Sequence, residues 1–178
     1  MMPPGWSRYL VDDDGKRALI ARTSERMRAL SRPDLDAQAR TLVEVQWRRL
    51  QRSGVTAVFL PGESDDVLPP SSIAVRQHVA PVGTAFADSV ASFAAAALER
   101  FQTPIGPILR WVVDTPADGE LSAIRSRNVG YGIPLPGEGQ RRGLVFLVAI
   151  PYPQDADPRM VEAMTEAADT IMETFRWR

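Results

Sequence analysis

At 178 residues the chain is the size of one domain and long enough to bury a substantial core. Its 44% apolar and 24% charged residues exclude an intrinsically disordered chain, and a formal net charge of −1 leaves no global electrostatic reason to seek nucleic acid or an acidic membrane. With no cysteine there are no disulfides, thiolate metal sites or cysteine nucleophile, and a single histidine, His78, excludes any site that needs two.

Residues 1–6 show no basic start followed by an apolar run, so no secretory signal is expected. No apolar stretch approaches the roughly 20 residues that span a bilayer, and the chain reads as cytoplasmic. After the stiff turn Pro3-Pro4-Gly5 and the aromatic Trp6, residues 7–11 read as a short strand. Asp12, Asp13, Asp14 and Gly15 form turns, and acids favour helix N-termini. They predict the cap of a first helix that ends near Leu30, with Leu19, Thr23, Met27 and Leu30 on one side. Ser31, Arg32 and Pro33 predict a break and restart, with Ser31 or Arg32 at the cap and proline in the first turn. A second helix is expected over 34–52. Leu35, Ala39, Leu42, Val43, Trp47 and Leu50 recur at three- and four-residue steps as one buried stripe, and Ser53-Gly54 closes it. Residues 13–52 thus make a helical pair that elaborates the N-terminal half.

Residues 55–60 (VTAVFL) are a strand, and 61–70 a polar loop. Residues 71–79 alternate, with Ile73, Val75 and Gln77 facing one way and Ala74, Arg76 and His78 the other. This predicts a half-buried strand antiparallel to the one before it. Phe86, Val90, Phe93, Ala97 and Phe101 are spaced as on a helix, which predicts a third helix over 84–101 capped by Thr84. Pro104, Gly106 and Pro107 break the chain before a strand over 108–113 that carries Trp111. A turn over 116–120 leads to a long irregular strand over 121–135, where Gly130 and Gly132 suggest a bulge or close packing. A turn at 136–139 precedes the most apolar stretch, 143–150 (GLVFLVAI), which reads as a central strand. Asp157 at the cap and Pro158 at the first position open a last helix with the stripe Met160, Met164, Ala167, Ile171 and Phe175. Strand pairs interrupted by helices predict a single α+β domain over 1–178. Its antiparallel sheet of about five to six strands is sandwiched by about four helices.

Three stretches carry a family resemblance: the opening Pro3-Pro4-Gly5-Trp6, the strand and turn VGYGIPLPG at 129–137, and residues 143–150 together with the closing IMETFRW at 171–177. Together they resemble uncharacterised actinobacterial proteins related to the PsbP-like superfamily, which includes photosystem PsbP subunits, a Ran-binding nuclear import factor and mycobacterial LpqN-type lipoproteins. The resemblance implies an antiparallel sheet sandwiched by helices, and binding roles more often than catalysis. It defines no functional residue, and this chain lacks the lipidation cysteine of the lipoproteins.

No catalytic motif stands out. His78 can titrate near neutral pH, but Ser71 and Ser72 beside it lack a nucleophile-elbow pattern. Asp12, Asp13 and Asp14 lack the alternation and terminal glutamate of a calcium loop, and Glu63, Asp65 and Asp66 read as a second solvated acidic loop. Gly130-Tyr131-Gly132 and Gly137-Glu138-Gly139 do not follow a phosphate-cradling pattern. Arg125, Arg127, Arg141 and Arg142 flank an expected hairpin as a local basic patch. Trp47 and Trp111 are expected in the core; Trp6 and Trp177 either pack near the termini or anchor a partner. The expected function is a non-enzymatic protein-binding or adaptor role. Trp6, Arg125, Arg127, Arg141, Arg142 and Trp177 are the candidate surface, and an unidentified protein or a second copy is the candidate partner. No cofactor, metal, nucleic acid or membrane is expected. The alternative is a small-molecule binder or carboxylate-dependent hydrolase, with a pocket between sheet and helices that holds Glu99, Asp114, Glu120 or His78.

Overall fold

The alternating rows of the chain pair into one antiparallel sheet. The computed structural model describes residues 5–62, 71–94, 97–116, 124–137 and 139–177. Its strands are β1 (Trp6–Leu10), β2 (Val55–Pro61), β3 (Ser72–Val79), β4 (Glu99–Thr103), β5 (Gly106–Thr115), β6 (Ile124–Pro134) and β7 (Arg142–Pro153). They lie in the order β1-β2-β3-β7-β6-β5-β4, every neighbouring pair antiparallel. β7, the most apolar stretch, takes the middle position as expected. The helices are α1 (Asp13–Ala29), α2 (Pro33–Arg52), α3 (Phe86–Ala91) and α4 (Pro158–Glu173).

Period-two alternation sends each strand's residues to two different layers. Ile73, Ile108, Val129, Tyr131, Ile133, Phe146, Val148 and Ile150 face α4 and pack with its Met164, Ala168 and Met172. On the opposite face Leu109, Trp111 and Val145 pack against Phe86 and Val90 of α3. The α1–α2 pair covers that same face at the β1–β2 end. Arg22 of α1 donates to the Tyr9 hydroxyl at 2.9 Å and to the Pro61 carbonyl at 2.8 Å. The buried Trp47 of α2 donates its indole N–H to the Asp12 carbonyl at 3.1 Å, tying α2 to the head of α1. The expected caps form at two helices. Asp12 accepts from the Gly15 amide and Asp157 from the Arg159 amide, with Pro158 in the first turn of α4. Arg32 takes the N-cap position of α2 without a side-chain cap, its guanidinium on Asp34 instead.

Two expectations need correction. The helix expected over 84–101 is a short helix followed by an edge strand, which raises the strand count to seven. Phe86 and Val90 bury as helical spacing demands, but Phe101 pairs with Ile108 and Glu99 with Arg110 across a tight hairpin. Thr103 Oγ1 donates to the Gly106 carbonyl at 2.8 Å in that turn, and Gly106 has φ +108°, open to glycine. The second correction concerns helix faces. Leu30 and Leu42 are exposed; in α4 Met164 is buried as expected, but the rest of the buried row is Val161, Thr165, Ala168 and Met172, beside the expected stripe. Among the described residues no helix is long and apolar enough to cross a membrane.

Candidate functional site

α4 lies on its sheet face asymmetrically. On the flank toward β5 and β6 it is latched by charge. Asp169 accepts from Arg110 Nε at 2.8 Å, from Arg110 Nη2 at 3.2 Å and from the Tyr131 hydroxyl at 2.7 Å, while Arg110 Nη1 reaches Glu99 at 2.8 Å. Two turns earlier Glu162 accepts from Arg127 Nη1 at 2.6 Å, and Asp114 holds the same guanidinium through two bonds. Burial pushes the Tyr131 phenol far above its ordinary range, and the neighbouring Asp169 carboxylate adds to it. Hydrogen bonds that Arg127 donates to Asp114, and then to Glu162, raise the pKa of its guanidinium further and outweigh its partial burial.

The opposite flank of α4 has no such latch among the described residues and borders an apolar groove. α4 covers β5, β6 and β7 but leaves the β1–β2 end of this face open. Two adjoining cavities fill the gap, of about 710 Å³ and about 370 Å³. They share Ile171. The smaller is walled by Trp6, Met164 and Ala167, the larger by Phe59, Phe146 and Phe175. Alternation explains the continuity. Trp6, Arg8 and Leu10 of β1 point the same way, as do Ile73, Val75 and Gln77 of β3, and both rows floor the groove. Among the described residues the only charged side chains lining it are Arg8 and Arg176, both in the larger cavity, and no acid lines either one. Arg176 donates to the backbone carbonyls of Glu173 and Phe175 and has no ion pair among the described residues.

The structure scatters much of the surface expected from sequence. Trp6 and Trp177 are both half-buried on the α4 side of the sheet, and both indole N–H groups are buried without an acceptor among the described residues. Trp177 stacks edge-on with Phe175, ring centres 5.1 Å apart, and Phe175 does the same with Phe146. The four arginines do not form one patch. Arg125 and Arg127 lie at one end of the β6–β7 hairpin and Arg141 and Arg142 at the other, roughly 30 Å apart at the usual rise per residue. Arg127 is fully engaged, Arg141 binds the Ala80 and Pro81 carbonyls, and Arg125 and Arg142 are exposed. Asp12 caps α1 while Asp13 and Asp14 pair with Lys16 and Arg17, and among the described residues no cluster of metal-binding side chains forms. Glu63, Asp65, Asp66, Glu120 and Glu138 lie outside the described residues. The groove went unseen in the sequence because its lining is split between β1, β2, β3, β7 and α4.

Neither cavity contains Glu99, Asp114 or His78. The first two are held by Arg110 and Arg127. His78 sits on the other face, edge-on to Phe86 and Phe93, with Nε2 at 2.8 Å from the buried Ser89 hydroxyl. Burial, and next the charge of Arg76, lower its pKa below the ordinary 6.5. Protonation therefore costs the folded state more than the unfolded one. The stability His78 confers is fully present above its unfolded pKa and is lost as pH falls through the lower folded value. Urea unfolding between pH 7 and 5 is expected to show a decline in stability that His78→Gln flattens. An unchanged slope in that variant would assign the decline to carboxylates.

Comparison with protein-family models, with curated proteins and with solved structures finds no match to this chain. The functional reading rests on the groove itself.

Proposed function

We propose that the protein is a non-enzymatic binding or adaptor protein, and that the groove beside α4 takes an apolar peptide segment of a protein partner flanked by acidic residues. One observation carries this reading. Ala167 and Ile171 of α4, with Phe175 just past its end, line an open groove where a core stripe was expected. A wide apolar arc left partly uncovered is a common form of peptide-docking surface. Charge complementarity selects the occupant: Arg8 and Arg176 are the only charges on the lining among the described residues, so acidic flanks are favoured and basic ones repelled. The resemblance to the PsbP-like superfamily, whose members act by binding more often than by catalysis, points the same way.

Panning a displayed random-peptide library on the immobilised chain tests this. The expected outcome is enrichment of peptides that combine large apolar residues with Asp or Glu. Ala167→Glu and Arg8→Glu, both at exposed positions, are each expected to weaken the selected peptides about tenfold, about 1.4 kcal/mol. Peptides that bind both variants as well as the parent chain would refute the groove. Sedimentation showing a dimer that Ala167→Glu dissociates would refute the separate partner, because a second copy would then fill it.

A further inference from the structure

The opposite face of the sheet carries a cavity of its own, of about 350 Å³, where the C-terminal half of α2 overhangs β3 and β7. Its floor is Ala74, Val145 and Leu147, and Leu50, Phe93 and Trp111 wall it. Two cations, Arg49 and Arg76, reach this apolar space, and no acid among the described residues lines it. Neither guanidinium has an ion pair among the described residues.

The two cations differ in what accounts for them. Arg49 stands in the last turn of α2, where a cation is favourable against the helix dipole whatever fills the cavity. Arg76 has no such reason. It is half-buried in mid-strand, paired across the sheet with Val55 on one side and Val145 on the other, where an apolar residue would bury surface without penalty. Its Cζ lies 4.8 Å from the centre of the Phe93 ring, so the guanidinium sits over an aromatic face. A guanidinium fixed at the mouth of an apolar cavity, with no carboxylate of its own, has the geometry to receive one in a two-point hydrogen bond.

We infer that this cavity binds a small free amphipathic acid, an aliphatic or aryl carboxylate. Its apolar body rests on Ala74, Val145 and Leu147, its carboxylate meets Arg76, and Arg49 closes the rim. The volume is at the lower end of pockets that hold small ligands. This site is on the other side of the sheet from the groove proposed for the partner peptide, so either proposal can fail without the other.

Calorimetric titration of the intact chain with octanoate, and separately with 1-octanol, tests it. Octanoate is expected to bind one per chain and at least about tenfold more tightly than the uncharged alcohol. Arg76→Gln is expected to lower octanoate affinity about tenfold and leave the alcohol within about threefold, while Arg8→Gln, in the other groove, changes neither. Leu147→Glu places a negative charge on the floor at a partly exposed position and is expected to abolish octanoate binding even where Arg76→Gln folds poorly. Equal affinity for acid and alcohol would overturn the inference, as would loss of octanoate through Arg8→Gln or unaltered binding by a folded Arg76→Gln chain. Co-sedimentation with phosphatidylglycerol vesicles without binding of free octanoate would also overturn it, because the anion would then belong to a lipid surface.

Discussion

Replacing Asp169 with alanine is expected to lower the free energy of unfolding by about 3 kcal/mol and to free α4 from the sheet. The size follows from what the carboxylate holds. Its two oxygens accept from Arg110 twice and from the Tyr131 hydroxyl once, and the Arg110 side chain is 13% exposed. Removing one partner of a buried ion pair costs about 3–5 kcal/mol, and here it leaves Arg110 with only the exposed Glu99 as counter-charge. Asp169 is itself 31% exposed, which places the loss at the lower end. A shift of the urea midpoint with unchanged slope measures it. Arg17→Ala, which removes the solvent-exposed ion pair with Asp14, is the control and is expected to cost under about 0.5 kcal/mol. Converting the pair to Arg110→Met with Asp169→Leu restores most of the loss, because apolar residues of similar volume replace a buried pair well. A loss below about 1 kcal/mol for Asp169→Ala would mean that apolar packing alone seats α4. The groove would then lack a fixed wall, since the charged latch on one flank is what leaves the other flank open.

The same helix shows what the sequence could and could not disclose. Its cap, Asp157 with Pro158, and its amphipathic character were legible, because capping and helical periodicity are local. Which apolar row faces the core was not. Val161, Ala168 and Met172 interleave with Met160, Ala167, Ile171 and Phe175, and only the neighbouring strands decide between them. The row chosen from spacing is for the most part the wall of the groove, and Met160 at its start is exposed. The strands behaved better. Alternation in β3 predicted the strand and its two faces, and the apolar run of β7 predicted a central strand, which β7 is. β4 was missed because Phe93, Ala97 and Phe101 continue a helical rhythm by coincidence. The stronger signal was the Thr103-Pro104-Ile105-Gly106 turn, which makes a hairpin of the residues on either side. The charged latch and both binding sites were beyond reach. Arg110 and Asp169 are 59 residues apart, and no local pattern relates them.

Gly130→Ala is expected to cost about 3 kcal/mol, an effect comparable to the loss of Asp169 and with the opposite physical origin. A Cβ built on Gly130 would lie 2.0 Å from Cε2 of Trp111 and 2.1 Å from its Cζ2, well inside any tolerable contact. Trp111 cannot step aside as a flexible side chain would, because its backbone is paired directly with Gly130 across β5 and β6. Phe93 also meets the indole edge-on at 6.2 Å, and Val145 packs beside it. The methyl must therefore open the ladder or tilt the indole toward the cavity that Arg76 guards. Gly132 supplies the internal comparison: it lies on the same strand and face, two residues on. There a Cβ would come no closer than 3.4 Å to Phe86 and Val90, so Gly132→Ala is expected to stay within about 1 kcal/mol of the parent, helped by the lower chain entropy of alanine. Thermal unfolding of the two variants separates close packing from a shared demand for glycine, since a bulge or special backbone geometry would make both substitutions costly. Adding Trp111→Leu to Gly130→Ala should recover part of the stability, because the smaller side chain vacates the space the methyl needs. If it recovers none, the glycine serves the backbone and the indole merely covers it.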